Sequence, residues 1–179
     1  MIRAPATPDN QHDIALVILS TSFVYEVQQV WPVCLNFDKD LDKKSLLEGH
    51  VRKVAGWDQT KKDVQDIFQV MELPNVDIQQ CILEASAIRM VLGKQPLHIT
   101  SDKICAGHNT SEPLCEYDSG AGFALAEHDR RDPRKRRYCL RGVVSLFNYL
   151  VCIWDFYTVF TKVSAHEDFI RDNSVGVIF

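Results

Sequence analysis

Apolar residues along this chain come in short runs rather than in long amphipathic stretches. Residues 14–19, Ile14-Ala15-Leu16-Val17-Ile18-Leu19, form an apolar run with polar residues on either side, the pattern of a buried strand. Residues 51–57, which end in Gly56-Trp57, predict a second strand, and residues 139–146 and 158–163 predict two more. Polar or Pro/Gly-marked stretches at 36–44, 58–66, 94–96, 107–113 and 127–137 read as the loops between them. Short strands joined by long loops predict an all-β barrel. Two segments depart from this. Residues 77–92 place Ile78, Cys81, Ile82, Ala85, Ile88 and Met90 at partial helical spacing, which predicts a short helix. Residues 164–171 open on Ser164, a favoured N-cap, with Glu167 and Asp168 in the first turn, which predicts a single closing helix. There is no internal repeat.

Composition narrows the class. The chain has 179 residues, 46% hydrophobic and 25% charged, enough for one domain core. Its most apolar stretch, 142–159, is broken by Ser145, Asn148 and Asp155, so no run reaches the ~18 residues of a membrane span. The formal net charge of −4 argues against a general nucleic-acid binder. Six cysteines without a Cys-x-x-Cys pair point to a disulfide framework in an extracellular protein rather than to zinc. The sequon Asn109-Thr110-Ser111, a glycosylation candidate, agrees with a secreted protein. The first eight residues have no apolar core and do not form a signal peptide, so either the chain is cytosolic or the protein's own start lies upstream of Met1, and the motifs below favour the second.

The chemistry concentrates in Cys115-Glu116-Tyr117-Asp118-Ser119-Gly120-Ala121-Gly122, with Asp13-Ile14-Ala15-Leu16 far upstream. A serine set between Asp and Gly just after a cysteine resembles the nucleophile loop of a trypsin-like serine protease. The segment at Asp13 resembles the strand that carries the triad carboxylate. Asp13 and Ser119 lie roughly 100 positions apart, near the roughly 90 of the chymotrypsin-type order. Further segments match in order: Trp31-Pro32-Val33-Cys34-Leu35, Val54-Ala55-Gly56-Trp57, Cys81, Lys103-Ile104-Cys105-Ala106-Gly107, Gly142-Val143-Val144-Ser145, Cys152 and Val159-Phe160-Thr161-Lys162-Val163. Within the family the chain is most similar to arthropod modular serine proteases of immune and clotting cascades. The resemblance implies a chymotrypsin-like double β-barrel with the first barrel largely missing and a short C-terminal helix. It divides the chain into residues 1–30, a remnant of the first barrel, 31–53, the connection, 54–172, the second barrel, and a tail at 173–179.

The resemblance also assigns roles. Ser119 is the nucleophile, which attacks a peptide carbonyl only when a base takes its proton. Asp13 orients that base, and Ser145 shares a hydrogen bond with the same carboxylate. In the triad order the histidine precedes the Asp by roughly 45 residues, yet only twelve residues precede Asp13. His12 is adjacent to Asp13, and on a strand the two side chains point to opposite faces. His50, His98, His108, His128 and His166 show no zinc-ligand spacing and read as surface residues, so neither metal nor cofactor is expected. The oxyanion hole uses the N–H groups of Ser119 and of Tyr117, where the family has a freer glycine. The specificity pocket is assigned to Pro113, Leu114, Ser145, Leu146, Phe147 and Thr158. Its floor is Pro113, and its walls are Phe147 and Thr158, a shallow apolar pocket.

For the cysteines the resemblance implies Cys81–Cys105 and Cys115–Cys152. It leaves Cys34 with a partner upstream of the chain, or with Cys139, which is otherwise unexplained. Arg52 and Leu125 replace both halves of a further family bridge. The run Arg130, Arg131, Arg134, Lys135, Arg136, Arg137 lies between two strands of a hairpin. It reads as a solvated loop, an anionic-partner site or a processing site. The function implied is serine endopeptidase acting on a protein substrate or downstream zymogen and open to a protease inhibitor, with neither nucleic acid nor membrane as partner. The alternative is a non-catalytic homologue that binds in a cascade.

Overall fold

The computed structural model describes residues 1–5, 11–25, 31–45, 47, 49–58, 67–91, 93, 99–107, 118–128, 132, 134–146 and 157–174. Two short strands, β1 (Ile2–Arg3) and β2 (Ala15–Leu16), pair antiparallel with each other. The other strands are β3 (Cys34–Leu35), β4 (Val51–Asp58), β5 (Ile67–Val76), β6 (Lys103–Ala106), β7 (Gly122–His128), β8 (Arg136–Leu146) and β9 (Thr158–Lys162). They form one sheet in the order β3-β8-β7-β4-β5-β6-β9, and a further pairing of β8 with β9 closes it into a barrel. Closure removes the open edges that β4 through β9 would otherwise expose. Every barrel pairing is antiparallel, while β3 lies parallel against β8 on the outside.

Inward-facing residues from each of the strands β4 to β9 fill the barrel. Val54, Met71, Leu73, Ala106, Phe123, Val144 and Phe160 form its buried core. Phe123 and Phe160 stack with ring centroids 4.3 Å apart and planes 27° from parallel, a contact that adds to their area burial. Gly142 on β8 makes this stack fit, because a Cβ there would meet the Cβ atoms of both rings and the Ile104 side chain.

Among the described residues, three α-helices and a 3-10 turn lie outside the barrel. Helix α1 (Lys39–Ser45) is capped by Asp38, whose carboxylate accepts the N–H groups of Asp40 and Leu41. Helix α2 (Ile78–Val91) is capped in the same way by Asp77, and Gly93, with φ +66°, follows its end. A 3-10 turn (Val163–His166) leads into α3 (Glu167–Asn173). The last two bring Val163 and Ile170 against Phe37 in a buried cluster outside the barrel.

Several expectations change. The run at 14–19 is not a buried strand: only Ala15–Leu16 pairs, and Val17, Ile18 and Leu19 are exposed, because none of the described residues covers them. The polar stretch 36–44 holds all of α1 but its last residue, and the helix is anchored by the ion pair of Asp42 with Arg141 rather than by an apolar face. The loop read at 127–137 is shorter, since β7 runs to His128 and β8 starts at Arg136. Ser164 does not cap a single closing helix; it is buried, and its hydroxyl donates to Asp42. Strand β5 had no expectation at all. Cys81 pairs with Cys105, tying α2 to β6, and Cys34 pairs with Cys139 rather than with an upstream cysteine. Cys115 and Cys152 lie outside the described residues.

A buried ion network locks the outer elements to β8. The pairing of β7 with β8 shifts between Phe123 and Ala124, which leaves Arg141 as the extra residue of a β-bulge. Such a bulge re-aims a side chain. Arg141 is 1% exposed and donates to the Asn36 carbonyl at 2.8 Å, the Asp42 carboxylate at 3.1 Å and the Glu127 carboxylate. Arg52 is buried beside the same acids, and its pKa is lowered by that burial and by the Arg141 charge. Arg141→Leu is expected to destabilise the fold by about 3 kcal/mol, the low end for breaking a buried pair, because Arg52 remains near the stranded acids. Urea unfolding checks this, and a loss below about 1 kcal/mol would contradict it.

Candidate active site

Asp13 lies just before β2, and its carboxylate is reached from β8. The Ser145 hydroxyl donates to Asp13 Oδ2 at 2.7 Å. Ser145 gets there by a second bulge: Val144 pairs with Phe160 and Leu146 with Val159, so Ser145 is the extra residue. The backbone of Asp13 is fixed as well, since its carbonyl accepts the Thr161 hydroxyl at 2.8 Å.

Ser119 sits at the tip of a tight turn. The Ala121 N–H donates to the Asp118 carbonyl at 2.9 Å, and Gly120 takes φ +88°, the left-handed region where glycine has no steric penalty. The turn docks onto β8 through Gly120 N–H to the Val144 carbonyl, 3.1 Å, and Val144 N–H to the Ala121 carbonyl, 2.9 Å. Ser119 is exposed and Asp118 buried. A Cβ at Gly56 would overlap the Asp118 carboxylate, so Gly56 is what lets β4 pass beside it. Ser119 is thus one residue from the clamp on Val144, and Ser145, bonded to Asp13, is the next residue along. Two segments distant in sequence are brought to the same stretch of β8.

Beneath Asp13 lies a polar cluster that the sequence did not signal. Asp102 Oδ2 accepts the His12 N–H at 2.9 Å, Lys103 Nζ at 3.2 Å and a hydrogen bond with His166 Nε2 at 3.1 Å. Thr100 donates to its other oxygen. Burial alone would raise the Asp102 carboxyl, but the bonds from Thr100 and His12 and the Lys103 charge outweigh it and hold it at about 2. Lys103 also donates to the Thr161 hydroxyl at 3.0 Å, the group that holds the Asp13 carbonyl. Strand β6, β9 and the closing 3-10 turn therefore all fix the backbone around Asp13.

His166 is not a surface residue. It is 4% exposed, and burial pushes its imidazole below the usual range against the pull of Asp102. His12 has φ +60°, so it is not in a strand alternating with Asp13, and its ring meets His166 edge-on with centroids 5.2 Å apart. His50 and His128 lie on the surface as expected. Thr158 opens β9, buried and paired with Ala106, and Leu146 ends β8. Pro113, Leu114, Tyr117, Phe147, Asn109, His98 and His108 lie outside the described residues.

A closed antiparallel barrel with a serine turn docked beside its last strands and a helix at the C-terminus is a chymotrypsin-like barrel. The Trypsin family profile matches residues 1–170, and the chain belongs to that family. It is 29% identical over 175 residues to a calcium-dependent serine proteinase of Mesocricetus auratus. That match covers 92% of this chain and 23% of the hamster protein, so the chain spans about a quarter of its relative's length. No described helix is long and apolar enough to cross a membrane.

Proposed function

We propose that the protein carrying this chain is a serine endopeptidase of an extracellular proteolytic cascade, with Ser119 as nucleophile and Asp13 as the orienting carboxylate. The observation that carries this reading is the 2.7 Å bond from Ser145 to Asp13, made on the strand to which the Ser119 turn is clamped. The base comes from outside these residues. The buried His166 ring is hydrogen-bonded to Asp102, and the His12 ring lies edge-on to it with the His12 backbone N–H fixed to the same carboxylate, whereas a triad needs an imidazole between carboxylate and hydroxyl. Acyl transfer to Ser119 would follow proton removal by that imidazole, with the Ser119 N–H receiving part of the oxyanion charge. Protein zymogens are the substrate class, an inhibitor of serine proteases is a natural partner, and innate immune defence is the setting.

Pro113, Phe147 and Thr158 as pocket residues favour small or aliphatic side chains before the cut. A peptide library tests this, and a dominant preference for Arg or Lys would show that the pocket residues are misassigned.

The second reading is a non-catalytic homologue that acts by binding. Tyr117 in place of glycine favours it, because a tyrosine keeps the backbone N–H but lacks the backbone freedom with which glycine aims it, and a donor that misses the oxyanion lowers the rate on the order of 100- to 1000-fold. A fluorophosphonate probe separates the two. The activated full-length protein is expected to be labelled at Ser119, with labelling lost in Ser119→Ala, and the 179-residue chain by itself is expected to stay unlabelled and inactive. Absence of labelling in folded full-length protein would decide for the homologue, and labelling of the chain alone would reveal a base within it.

A further inference from the structure

The pair His12 and His166 has a geometry that the proteolytic reading does not use. Nδ1 of His12 and Nδ1 of His166 are 3.5 Å apart. That is long for a hydrogen bond between ring nitrogens, since N–H donors usually sit about 2.7 to 3.2 Å from their acceptors. It is close to the edge of a tetrahedral metal site, which for bonds of 2.0 to 2.1 Å to imidazole nitrogen is about 3.3 to 3.4 Å.

The rest of the cluster sets the protonation that such a site needs. Asp102 is a carboxylate and can only accept hydrogen bonds, so the His166 nitrogen facing it, Nε2, carries the proton. In the neutral ring this leaves the lone pair on Nδ1, aimed at His12. A carboxylate that holds one ring nitrogen while the other faces a metal is the recurrent outer partner of histidine ligands. Asp102 Oδ2 already takes three polar partners, so Asp102 supports the site without ligating directly. The Lys103 charge, which would oppose a cation, is compensated by its bond to that same carboxylate. His12, His166 and Asp102 are the described groups whose donor atoms converge closely enough for a shared ion. The same convergence at Cys34, Glu127 and Cys139 is closed by the disulfide.

We propose that His12 and His166 form a site for one divalent transition metal of the zinc, copper or nickel class, held by both Nδ1 atoms and completed by water. Imidazole donors select these ions, whereas calcium and magnesium need oxygen ligands. His166 anchors the ion to the closing turn. His12 is the residue before Asp13, so an occupied site ties the carboxylate strand to the C-terminal segment.

Titration calorimetry of the purified full-length protein with zinc chloride tests the proposal, with cobalt absorption as an independent reading of coordination. Cobalt should develop the visible bands of a nitrogen-bound ion. Zinc should saturate at a site that calcium and magnesium do not fill. His12→Ala should abolish that site, and since His12 is only half-buried this variant is the safer one if His166→Gln fails to fold. Asp102→Asn should weaken binding on the order of 10- to 100-fold, whereas His50→Ala, at the exposed histidine before β4, should leave it unchanged. A protein without saturable zinc binding, or one whose site survives His12→Ala, overturns the assignment.

Discussion

Asp13→Asn in the full-length protein is expected to lower kcat on the order of 10,000-fold with little change in KM or in folding stability. A carboxylate in this position does two things for the imidazole: it fixes the ring's tautomer and stabilises the cation that forms as Ser119 gives up its proton. Asparagine has the same shape but can donate from its amide, so it holds the ring with the wrong nitrogen protonated, and loss of the carboxylate in such triads has an effect of this size. The Ser145 hydroxyl can still donate to the amide oxygen, and Thr161 holds the backbone, so the fold should not suffer. Steady-state kinetics beside a thermal melt would test the split. A fall of less than about 10-fold in kcat, with Ser119 still the labelled residue, would mean that Asp13 does not orient the base. Ser145→Ala should have a smaller effect in the same direction, since it removes one of the groups that position the carboxylate and leaves the charge.

The residues that make this prediction were legible in the sequence for a particular reason. Asp13, Ser119 and Ser145 each sit in a segment that resembles the family's, and the bond from Ser145 to Asp13 that the resemblance implies is present in the structure. Strand β9 was legible as a β-branched and aromatic segment, β4 and β8 through apolar and β-branched stretches such as 54–57 and 143–144 that charged residues interrupt, and α2 because its apolar spacing is partly helical. Strand β5 was not, because Pro74 interrupts it, and proline argues against a strand interior. It is tolerated there because β5 changes partner at that point, pairing Pro74 with Val51 on β4 and Asn75 with Ala106 on β6. Helix α1 has little apolar content. What holds it is Asp42 against Arg141, 99 positions away, which local periodicity does not encode. The same holds for His12 and His166, which are 154 positions apart. Spacing rules for metal ligands work within a turn or a knuckle, and they are silent when two loops of a folded barrel supply the pair.

Removing the Cys34–Cys139 bridge by Cys34→Ser with Cys139→Ser is expected to destabilise the fold by up to about 5 kcal/mol. The cysteines are 105 positions apart, and in the chain-entropy model a closed loop of about 100 residues restricts the unfolded chain by about 4.7 kcal/mol. The same model gives about 3 to 4 kcal/mol for Cys81–Cys105, whose separation is 24. The first bridge should therefore matter more, and the native contacts point the same way. Strand β3 is two residues long and pairs with β8 only at Cys34–Cys139 and Leu35–Leu140. A pairing that short has little stability of its own. Without the bridge, β3 and the segment leading to α1 would rely on the Arg141 network to stay on the barrel. Cys81 and Cys105, in contrast, are both buried in an apolar cluster with Ile99 and Val159, so α2 keeps packing partners after its bridge is lost. Urea unfolding of the two double variants, prepared from protein folded under oxidising conditions, gives the comparison. The expected outcome is a lower midpoint for the Cys34/Cys139 variant than for the Cys81/Cys105 variant. The reverse order would show that loop closure is not what this bridge contributes, and that β3 holds to β8 through its remaining contacts.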